Sequence, residues 1–330
     1  MRDLYNLHNF YSNGKSSKKL NNRRKSFGYQ VLGFGSGGTV AFVTNDNGIF
    51  GFGRAGSPRV SMTNLVSNTG VVATDTTGVG TARESPAATQ YGGDKGIFGY
   101  GTTGTKVSMT NLVSNTGVVA TDTTGVGTAR NGLAACSYDG QDKGIFAYGE
   151  NAAGAYIGTS NLISNTGVVA SDVTGASEAR YLLAACEFGG DKGLIAFGYG
   201  PGHEWQSISN MVSNTGVIAT DVSHTGTGRQ APGGCSYGGD KGIFAYGYNA
   251  SGGHNTSQLV SNVGVVGADV TGIGTARDAL NACEYGQDKG IFAYGSNLNL
   301  SNLVSNVGVV SADVTGVGTA RNYPGACSYA

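Results

Sequence analysis

The stretch VSMTNLVSNTGVVATDTTGVGTAR, residues 60–83, recurs letter for letter at residues 107–130. Looser copies end at four later arginines, and the spacings between the six repeat arginines are 47, 50, 49, 48 and 44 residues. A period of about 40 to 50 residues with several strand-like runs per unit is typical of radially repeated β-sheets, not of helical solenoids. Most of the 330-residue chain is therefore predicted to form one large repeat architecture.

The unit that follows Arg130 contains four strand-like runs, which are NGLAACSY, GIFAYG, NLIS and GVVASD. An Asp- and Gly-rich turn, DGQDKG, joins the first two runs, and an Asn-Thr-Gly turn joins the last two. The runs are rich in β-branched and aromatic residues, and no window has the apolar spacing of a helix. The sequence predicts an all-β fold in which each unit is a four-stranded antiparallel blade of a β-propeller.

The number of blades follows from counting the runs. The GIF-type run and the Ser-Asn turn each occur six times, so six blades are predicted, with seven as the alternative. The chain ends on a first-strand sequence, ACSYA, which we expect to complete the first blade and so remove exposed sheet edges. The predicted organisation is an extended arm at 1–27, a linker with a possible extra strand at 28–44, and the propeller at 45–330.

Two families resemble the repeat. The string ARNGLAACSYDGQDKGIFAYG, residues 129–149, resembles the kelch repeat, although it lacks the usual glycine doublet and the tryptophan before the arginine. The unit SNTGVVATDTTGVGTAR…DKGIFGYG is similar to repeats in virion-associated proteins of tailed bacteriophages, especially those of marine hosts, over roughly residues 45–330. The second resemblance implies a phage structural protein that is located in the virion and assembled in the host cytoplasm.

Basic residues are concentrated at the N-terminus, where residues 1–27 carry a net charge of +6 and leave −6 on the rest of the chain. Residues 12–27 have the composition of a segment that is disordered alone and orders against a partner. We interpret the segment as an arm that docks on an acidic particle surface, with a nucleic-acid contact or an inert tail as alternatives. The docking residues are Tyr5, Phe10, Tyr11, Arg23, Arg24 and Lys25.

Length differences between repeats fall mainly in the loop between the second and third runs. Loops on one face of a rigid scaffold are where binding sites are commonly built. Only the fourth loop, YGPGHEWQSIS, combines aromatic and polar residues and contains the single tryptophan, a residue enriched at binding hot spots. The candidate binding residues are Tyr199, His203, Glu204 and Trp205, and the alternative is a rim tryptophan that covers a neighbouring loop.

An aspartate and an arginine eight residues later recur in all six repeats. A catalytic site needs different groups in different roles, so six copies of one pair indicate a structural ion pair or hydrogen-bond clamp between successive blades. A ring that binds ions is the alternative interpretation. The pairs are Asp75 and Arg83, Asp122 and Arg130, Asp172 and Arg180, Asp221 and Arg229, Asp269 and Arg277, and Asp313 and Arg321.

The five cysteines each follow a repeat arginine by six residues, so we expect buried free thiols. The sequence contains no metal-ligand spacing of histidines, no CxxC pair, no nucleophile elbow and no Walker lysine. We therefore predict a non-enzymatic virion structural protein of the tail, neck or a surface appendage, without catalytic residues, metal or cofactor. Its expected partners are other virion proteins, with no membrane span. The alternative is a module that binds a host-cell glycan or receptor protein through the variable loops.

Overall fold

The computed structural model describes residues 46–175 and 177–330, and every regular element in this part is a β-strand, as the all-β prediction requires. The predicted arm at 1–27 and the linker at 28–44 lie outside the described residues. The strands are β1 (Asn47–Gly51), β2 (Thr63–Val66), β3 (Ala87–Tyr91), β4 (Lys95–Gly99), β5 (Thr110–Val113), β6 (Arg130–Asn131), β7 (Ala134–Tyr138), β8 (Lys143–Ala147), β9 (Glu150–Asn151), β10 (Thr159–Ile163), β11 (Val173–Thr174), β12 (Ala184–Phe188), β13 (Lys192–Ala196), β14 (Ile208–Val212), β15 (Val222–Ser223), β16 (Gly233–Tyr237), β17 (Lys241–Ala245), β18 (Tyr248–Asn249), β19 (Gly252–Gly253), β20 (Ser257–Val260), β21 (Asn281–Tyr285), β22 (Lys289–Ala293), β23 (Ser301–Val304) and β24 (Gly325–Tyr329).

The strands form six antiparallel sheets of three or four strands, one per repeat, and two smaller pairs. Sheet 1 contains β24, β1 and β2, and sheet 2 contains β3, β4 and β5. Sheet 3 contains β7, β8, β10 and β11, and sheet 4 contains β12 to β15. Sheet 5 contains β16, β17 and β20, and sheet 6 contains β21, β22 and β23. The smaller pairs, β6 with β9 and β18 with β19, lie in the connections and loops.

The C-terminal strand β24 belongs to sheet 1, where it pairs with β1 so that Ile49 lies opposite Cys327. In the other five sheets the first strand immediately precedes the second in sequence. The expectation that the last strand completes the first sheet is confirmed by this pairing. Sheet 1 is thus built from both ends of the described chain, and β1 has partners on both of its edges.

The fourth predicted strand of each repeat is only partly formed. In sheet 2 its segment pairs with β5 at isolated bridges, Val113 with Val119 and Thr110 with Thr123, and only sheets 3 and 4 have a two-residue fourth strand. A side chain supplies one of the hydrogen bonds to this segment, because the Asn111 amide donates to the Ala120 carbonyl at 3.0 Å. The prediction of four strands per repeat is therefore confirmed only for sheets 3 and 4. In the other sheets the fourth segment forms isolated bridges, and part of its backbone bonds to a side chain.

Hydrophobic cores lie between neighbouring sheets. One cluster joins Cys136, Tyr138 and Ile145 of sheet 3 to Ile195 and Val212 of sheet 4. Equivalent clusters join sheets 1 and 2, 2 and 3, 4 and 5, 5 and 6, and 6 and 1. Each sheet therefore buries apolar residues against two neighbours, and the sixth contacts the first.

All five cysteines are free and buried, as expected from their repeat position. Each thiol packs against a glycine of the next sheet: a Cβ added at Gly193 would lie 2.4 Å from Cys136 Sγ, and one added at Gly48 would lie 2.5 Å from Cys283 Sγ. The glycine at the second position of the second strand is therefore required by close sheet packing at these positions.

Backbone hydrogen bonds link the sheets in the same cyclic order. At the start of each first strand, one residue donates its N–H to the carbonyl of the equivalent residue of the preceding sheet, over N–O distances of 2.7 to 3.4 Å. All six residues of this ring have φ between 52° and 60°, a region that costs non-glycine residues about 1 kcal/mol or more each. The members of this mouth ring are Ser85, Gly132, Leu182, Ala231, Ala279 and Tyr323.

A second cycle of backbone bonds lies at the opposite ends of the first strands. Here the N–H donors follow the first strands, and the carbonyl acceptors are aspartates of the next sheet. The bonds, which form the turn ring, run from Gly92 to Asp142, Asp139 to Asp191, Gly189 to Asp240, Gly238 to Asp288, Gly286 to Asp46 and Ala330 to Asp94. The two rings fix both ends of the six first strands relative to one another.

The contact between Cys136 and Gly193 is testable by a double-mutant cycle. We expect Gly193→Ala to destabilise the protein by about 1 to 3 kcal/mol, because the new methyl group overlaps the thiol. Adding Cys136→Ala should remove the overlap, so the double variant should be more stable than the sum of the two single effects predicts, by about 0.5 kcal/mol or more. Denaturant unfolding of the four proteins measures the coupling, and strictly additive effects would contradict contact between these sheets.

Candidate functional site

The variable loops lie against the connections that enter the sheets. In sheets 1 to 5 the loop between the second and third strands forms a short hairpin, as between Tyr199 and Trp205 in sheet 4. The hairpin then pairs with the residue that follows the repeat arginine, as Tyr199 does with Tyr181 and Tyr248 with Gln230. The variable loops and the mouth ring therefore lie at the same ends of the sheets, which places sequence variation beside the first strands.

The loop of sheet 4 belongs to an aromatic cluster that extends over two sheets. Tyr199 contacts Trp205 edge-on at a centroid distance of 5.6 Å and lies 5.9 Å from the His203 ring. It also meets Tyr156 of the sheet 3 loop at 6.5 Å, and Tyr156 stacks on Tyr181 at 5.6 Å with an interplanar angle of 8°. We call these five residues the aromatic cluster.

The structure brings together three of the four candidate binding residues. His203 is exposed, whereas Tyr199 and Trp205 are half-buried. The fourth, Glu204, is exposed and accepts a hydrogen bond from the Gln206 amide at 2.8 Å. The sequence analysis missed Tyr156 and Tyr181. The available signals were that Tyr181 is the one aromatic residue directly after a repeat arginine and that Tyr156 has the hairpin position of Trp205 in the next repeat.

The repeat arginines are the most buried charged groups of the described chain, and all six have 0% exposure. Each guanidinium lies over an aromatic ring that follows the second strand of the preceding sheet. Such cation–π contacts are worth about 2 kcal/mol or more when desolvated. The contacts, with distances from Cζ to the ring centroid, are Arg83 on Phe52 (4.0 Å), Arg130 on Tyr100 (4.2 Å), Arg180 on Tyr148 (5.1 Å), Arg229 on Phe197 (4.7 Å), Arg277 on Tyr246 (4.2 Å) and Arg321 on Tyr294 (3.9 Å).

The same guanidinium is hydrogen-bonded to the sheet that it enters. In sheet 2, Arg83 donates from Nε to the Tyr100 carbonyl at 2.8 Å and from Nη2 to Asn111 Oδ1 at 2.6 Å. Asn111 in turn donates to Asp122 Oδ1 at 2.9 Å, and Asp122 accepts the N–H of Thr81 at 2.9 Å. One buried arginine thus joins the aromatic ring of one sheet to the amide and carboxylate of the next.

The partners of the aspartates differ from the predicted pairing. Five of the six arginines lie 3.7 to 3.9 Å from the aspartate of the following repeat, from Arg83 with Asp122 to Arg321 with Asp75, and the exception is Arg180. The aspartate eight residues before an arginine belongs to the sheet that the chain is leaving, so it faces the arginine of the previous connection. The clamp between successive sheets is present, but its two members come from consecutive repeats.

Burial and hydrogen bonding act in opposite directions on these groups. Burial lowers the pKa of Arg83 to about 10, which keeps its guanidinium charged at neutral pH. Burial alone would raise the pKa of Asp122, but hydrogen bonds from Thr81 and Asn111 hold it below the ordinary value. Both groups are therefore ionised near pH 7, where the interaction between them is attractive.

The first strands of all six sheets surround one cavity, which we call the central cavity. Its volume near the mouth ring is about 80 Å³, and the lining there is mostly alanine, leucine and proline. Toward the turn ring the lining includes the buried carboxyl groups of Glu187 and Glu284. These two residues were not identified from the sequence, although both replace a serine or glutamine of the other repeats.

Over residues 46–175 and 177–330, no group of three or more His, Cys, Asp or Glu side chains is placed to hold a metal ion. The same residues include no helix of the length and apolarity that a membrane span requires. The predicted docking residues Tyr5, Phe10, Tyr11, Arg23, Arg24 and Lys25 lie outside the described part of the chain. No protein-family model and no curated protein matches this chain, so the resemblances to kelch repeats and to phage virion repeats stay sequence-based hypotheses.

Replacement of one buried arginine tests the clamp. We expect Arg130→Lys to lower the free energy of unfolding by about 3 to 5 kcal/mol, because an ammonium cannot reproduce the planar stacking and the bonds to Tyr148 and Asn161. The matched control is Arg59→Lys, since Arg59 is half-exposed and its pair with Glu84 should be worth less than about 1 kcal/mol. Denaturant unfolding at pH 7 compares the two, and equal effects would contradict a special role for the buried guanidinium.

Proposed function

We propose that this chain is a non-enzymatic structural protein of a tailed-phage virion, in which a six-bladed β-propeller is displayed and the N-terminal arm docks on the particle. The cyclic order of the six sheets supports the propeller. Each sheet contacts two neighbours through an apolar cluster, a backbone bond in each ring and a buried arginine. The setting in a virion rests on the resemblance of the repeat to phage proteins.

A structural role is supported by what the repeats share. The buried Cys, Arg and Asn residues and the more exposed Asp residues are used for contact between neighbouring sheets, and each recurs in most or all repeats. A propeller held at six equivalent junctions is a rigid body, and rigid bodies present loops in fixed positions. The proposal assigns attachment to the arm and leaves the loop face available for other virion proteins.

The aromatic cluster favours a second candidate function, the binding of a host-cell glycan or receptor protein. Tyr199, Trp205 and Tyr156 are half-buried, so part of each ring faces solvent. Aromatic side chains offer a large apolar area at low entropic cost and are enriched at binding hot spots. The cluster occurs in the loops of two sheets only, so it gives the otherwise repetitive scaffold one distinct surface. A partner without internal repeats needs such a surface for recognition.

Removal of residues 1–27 tests the docking arm. We expect the truncated protein to keep the unfolding temperature of the full chain but to be absent from purified phage particles, measured by quantitative mass spectrometry of virions. A full-length variant with Arg23, Arg24 and Lys25 changed to Gln separates the contribution of charge from that of length. Normal incorporation of the truncated protein would refute the arm as the anchor.

Binding by the aromatic cluster is tested with two matched alanine variants. Tyr199→Ala should weaken binding to the best ligand of a glycan array by roughly 30-fold or more, the effect of losing a hot spot worth about 2 kcal/mol. Tyr248→Ala is the control, because Tyr248 occupies the equivalent hairpin position in sheet 5 and lies outside the cluster. Trp205→Ala should behave like Tyr199→Ala. Absence of any glycan binding by the wild-type chain, together with binding to virion proteins, would reject this second function and leave the structural role.

A further inference from the structure

Three residues that differ from the repeat pattern lie together at the end of the central cavity that is nearest the turn ring. The next-to-last residues of the six first strands are Gln90, Ser137, Glu187, Ser236, Glu284 and Ser328, so two of the six sheets carry a carboxyl group there. The turn to the second strand has three residues between the aromatic residue and the lysine in sheets 2, 4, 5 and 6, but four in sheet 3. The longer turn contains Gln141, the third departure.

The three residues lie together around a small space. Ser137 Oγ donates to Glu187 Oε2 at 2.7 Å, and Gln141 Nε2 donates to Glu284 Oε2 at 3.5 Å. Glu187 and Glu284 are 7% and 5% exposed. They belong to sheets 4 and 6, on either side of Ser236 in sheet 5, and with Gln141 they line a cavity of about 20 Å³.

The charged side chains around Glu187 and Glu284 do not neutralise the two carboxyl groups, because they are paired with one another. Asp191, Asp240 and Asp288 lie in the turns of sheets 4, 5 and 6, and each is paired with the following lysine at 2.5 to 2.8 Å. One of these lysines, Lys241, also lines the small cavity and is held by Asp240. Neither Glu187 nor Glu284 forms a salt bridge with another residue of the described chain. The remaining titratable neighbours are the thiols of Cys136, Cys186, Cys235 and Cys283, whose pKa values are raised by burial, so they are neutral.

The volume of the cavity limits which ligand can neutralise the negative charge of the two carboxylates. The space of about 20 Å³ beside the pair and the adjoining space of about 40 Å³ between the first strands hold only a few water molecules, so the two carboxyl groups are poorly solvated. Two ionised carboxylates in a poorly solvated space repel each other, and the energetically cheaper state keeps at least one protonated. A proton satisfies both constraints, because it needs no extra volume and converts an acceptor into a donor.

We propose that Glu187 and Glu284 form a proton-binding site that, together with Gln141, holds sheets 4 and 6 across sheet 5 and closes the turn end of the central cavity. With protons bound, the carboxyl groups hydrogen-bond to the surrounding oxygens. Loss of the protons leaves two negative charges near the turn-ring bonds from Gly189 to Asp240 and from Gly238 to Asp288. This part of the molecule is then loosened in mildly alkaline solution.

Burial acts on the pKa of both carboxyl groups in the direction that this geometry requires. Burial raises the pKa of Glu187 to about 7, and burial together with the charge of Glu187 raises the pKa of Glu284 to about 8. Both values lie above the ordinary 4.5, so the folded chain retains protons that the unfolded chain releases. The stabilising contribution is complete below the ordinary pKa and is lost as pH rises through 7 to 8.

The full chain offers a direct test, because it contains only six glutamates. In a ¹³C-glutamate-labelled protein, we expect two of the six side-chain carboxyl signals to titrate with midpoints near pH 7 and pH 8. Glu187→Gln and Glu284→Gln should each remove one of these signals and lower the midpoint of the other. Titration of all six signals below about pH 5.5 in the wild-type chain would overturn the proposal, whether or not the variants fold.

Thermal unfolding supplies a second readout with a matched control. The unfolding temperature of the wild-type chain and of the exposed-site variant Glu204→Gln should fall between about pH 6 and pH 9, whereas the Glu187→Gln/Glu284→Gln variant should show a smaller fall. Calcium chloride alone distinguishes a cation site. If Ca²⁺ at high pH shifts the two carboxyl signals and raises the unfolding temperature only when both glutamates are present, a metal ion is the ligand and the proton proposal is wrong.

Discussion

The buried arginine at each sheet junction is the interaction on which the remaining structure depends. A guanidinium with 0% exposure is strongly unfavourable unless its donors are bonded and its charge is balanced. For Arg83 the ring of Phe52 comes from one sheet, while the carbonyl of Tyr100 and the amide of Asn111 come from the next. All of these partners are in place only when neighbouring sheets are correctly packed. The last junction keeps the ring and the amide, since Arg321 stacks on Tyr294 and bonds to Asn64, 257 residues earlier in the chain, although its Nε has no partner among the described residues.

Residues that repeat and residues that do not have separate roles in this chain. Repeated groups make the same contacts between neighbouring sheets. A thiol packs against a glycine at five junctions, an arginine lies on an aromatic ring at six, and a mouth-ring residue with positive φ donates its backbone N–H to the preceding sheet at six. Several of the departures from the repeat lie together. Glu187, Glu284 and Gln141 meet in the central cavity, and the rings of Tyr156, Tyr181 and Trp205 belong to one cluster. Convergence of independent substitutions is stronger evidence for a site than any single residue type.

Features that depend on local sequence could be predicted, and features that depend on contact between repeats could not. The first three strands of each unit, the closing pairing of β24 and the buried thiols follow from periodicity and turn residues. The partner of Arg83 was placed at Asp75, whereas Asp122 lies one repeat further on, because spacing along the chain does not reveal which sheet a connection enters. The pair formed by Glu187 and Glu284 was missed for the same reason, since the residues are 97 positions apart and meet only when the first strands surround the cavity.

The junction between sheets 4 and 5 shows which part of the arginine interaction is indispensable. Gln258 replaces the asparagine of the other repeats, and its longer side chain still accepts a bond from Arg229 Nη2. Arg229 Nε and Gln258 Nε2, however, have no hydrogen-bond partner among the residues that the structure describes. The stacking on Phe197, the approach to Asp269 at 3.9 Å and the complete burial of Arg229 are unchanged. The individual hydrogen bonds can therefore vary, while the cation between an aromatic ring and a carboxylate is retained at this junction. All six guanidinium groups are buried, stacked on an aromatic ring and bonded through Nη2 to a side-chain amide oxygen. The bond from Nε to a backbone carbonyl is the more variable contact, because among the described residues it is formed by Arg83, Arg130 and Arg277 but not by the other three arginines.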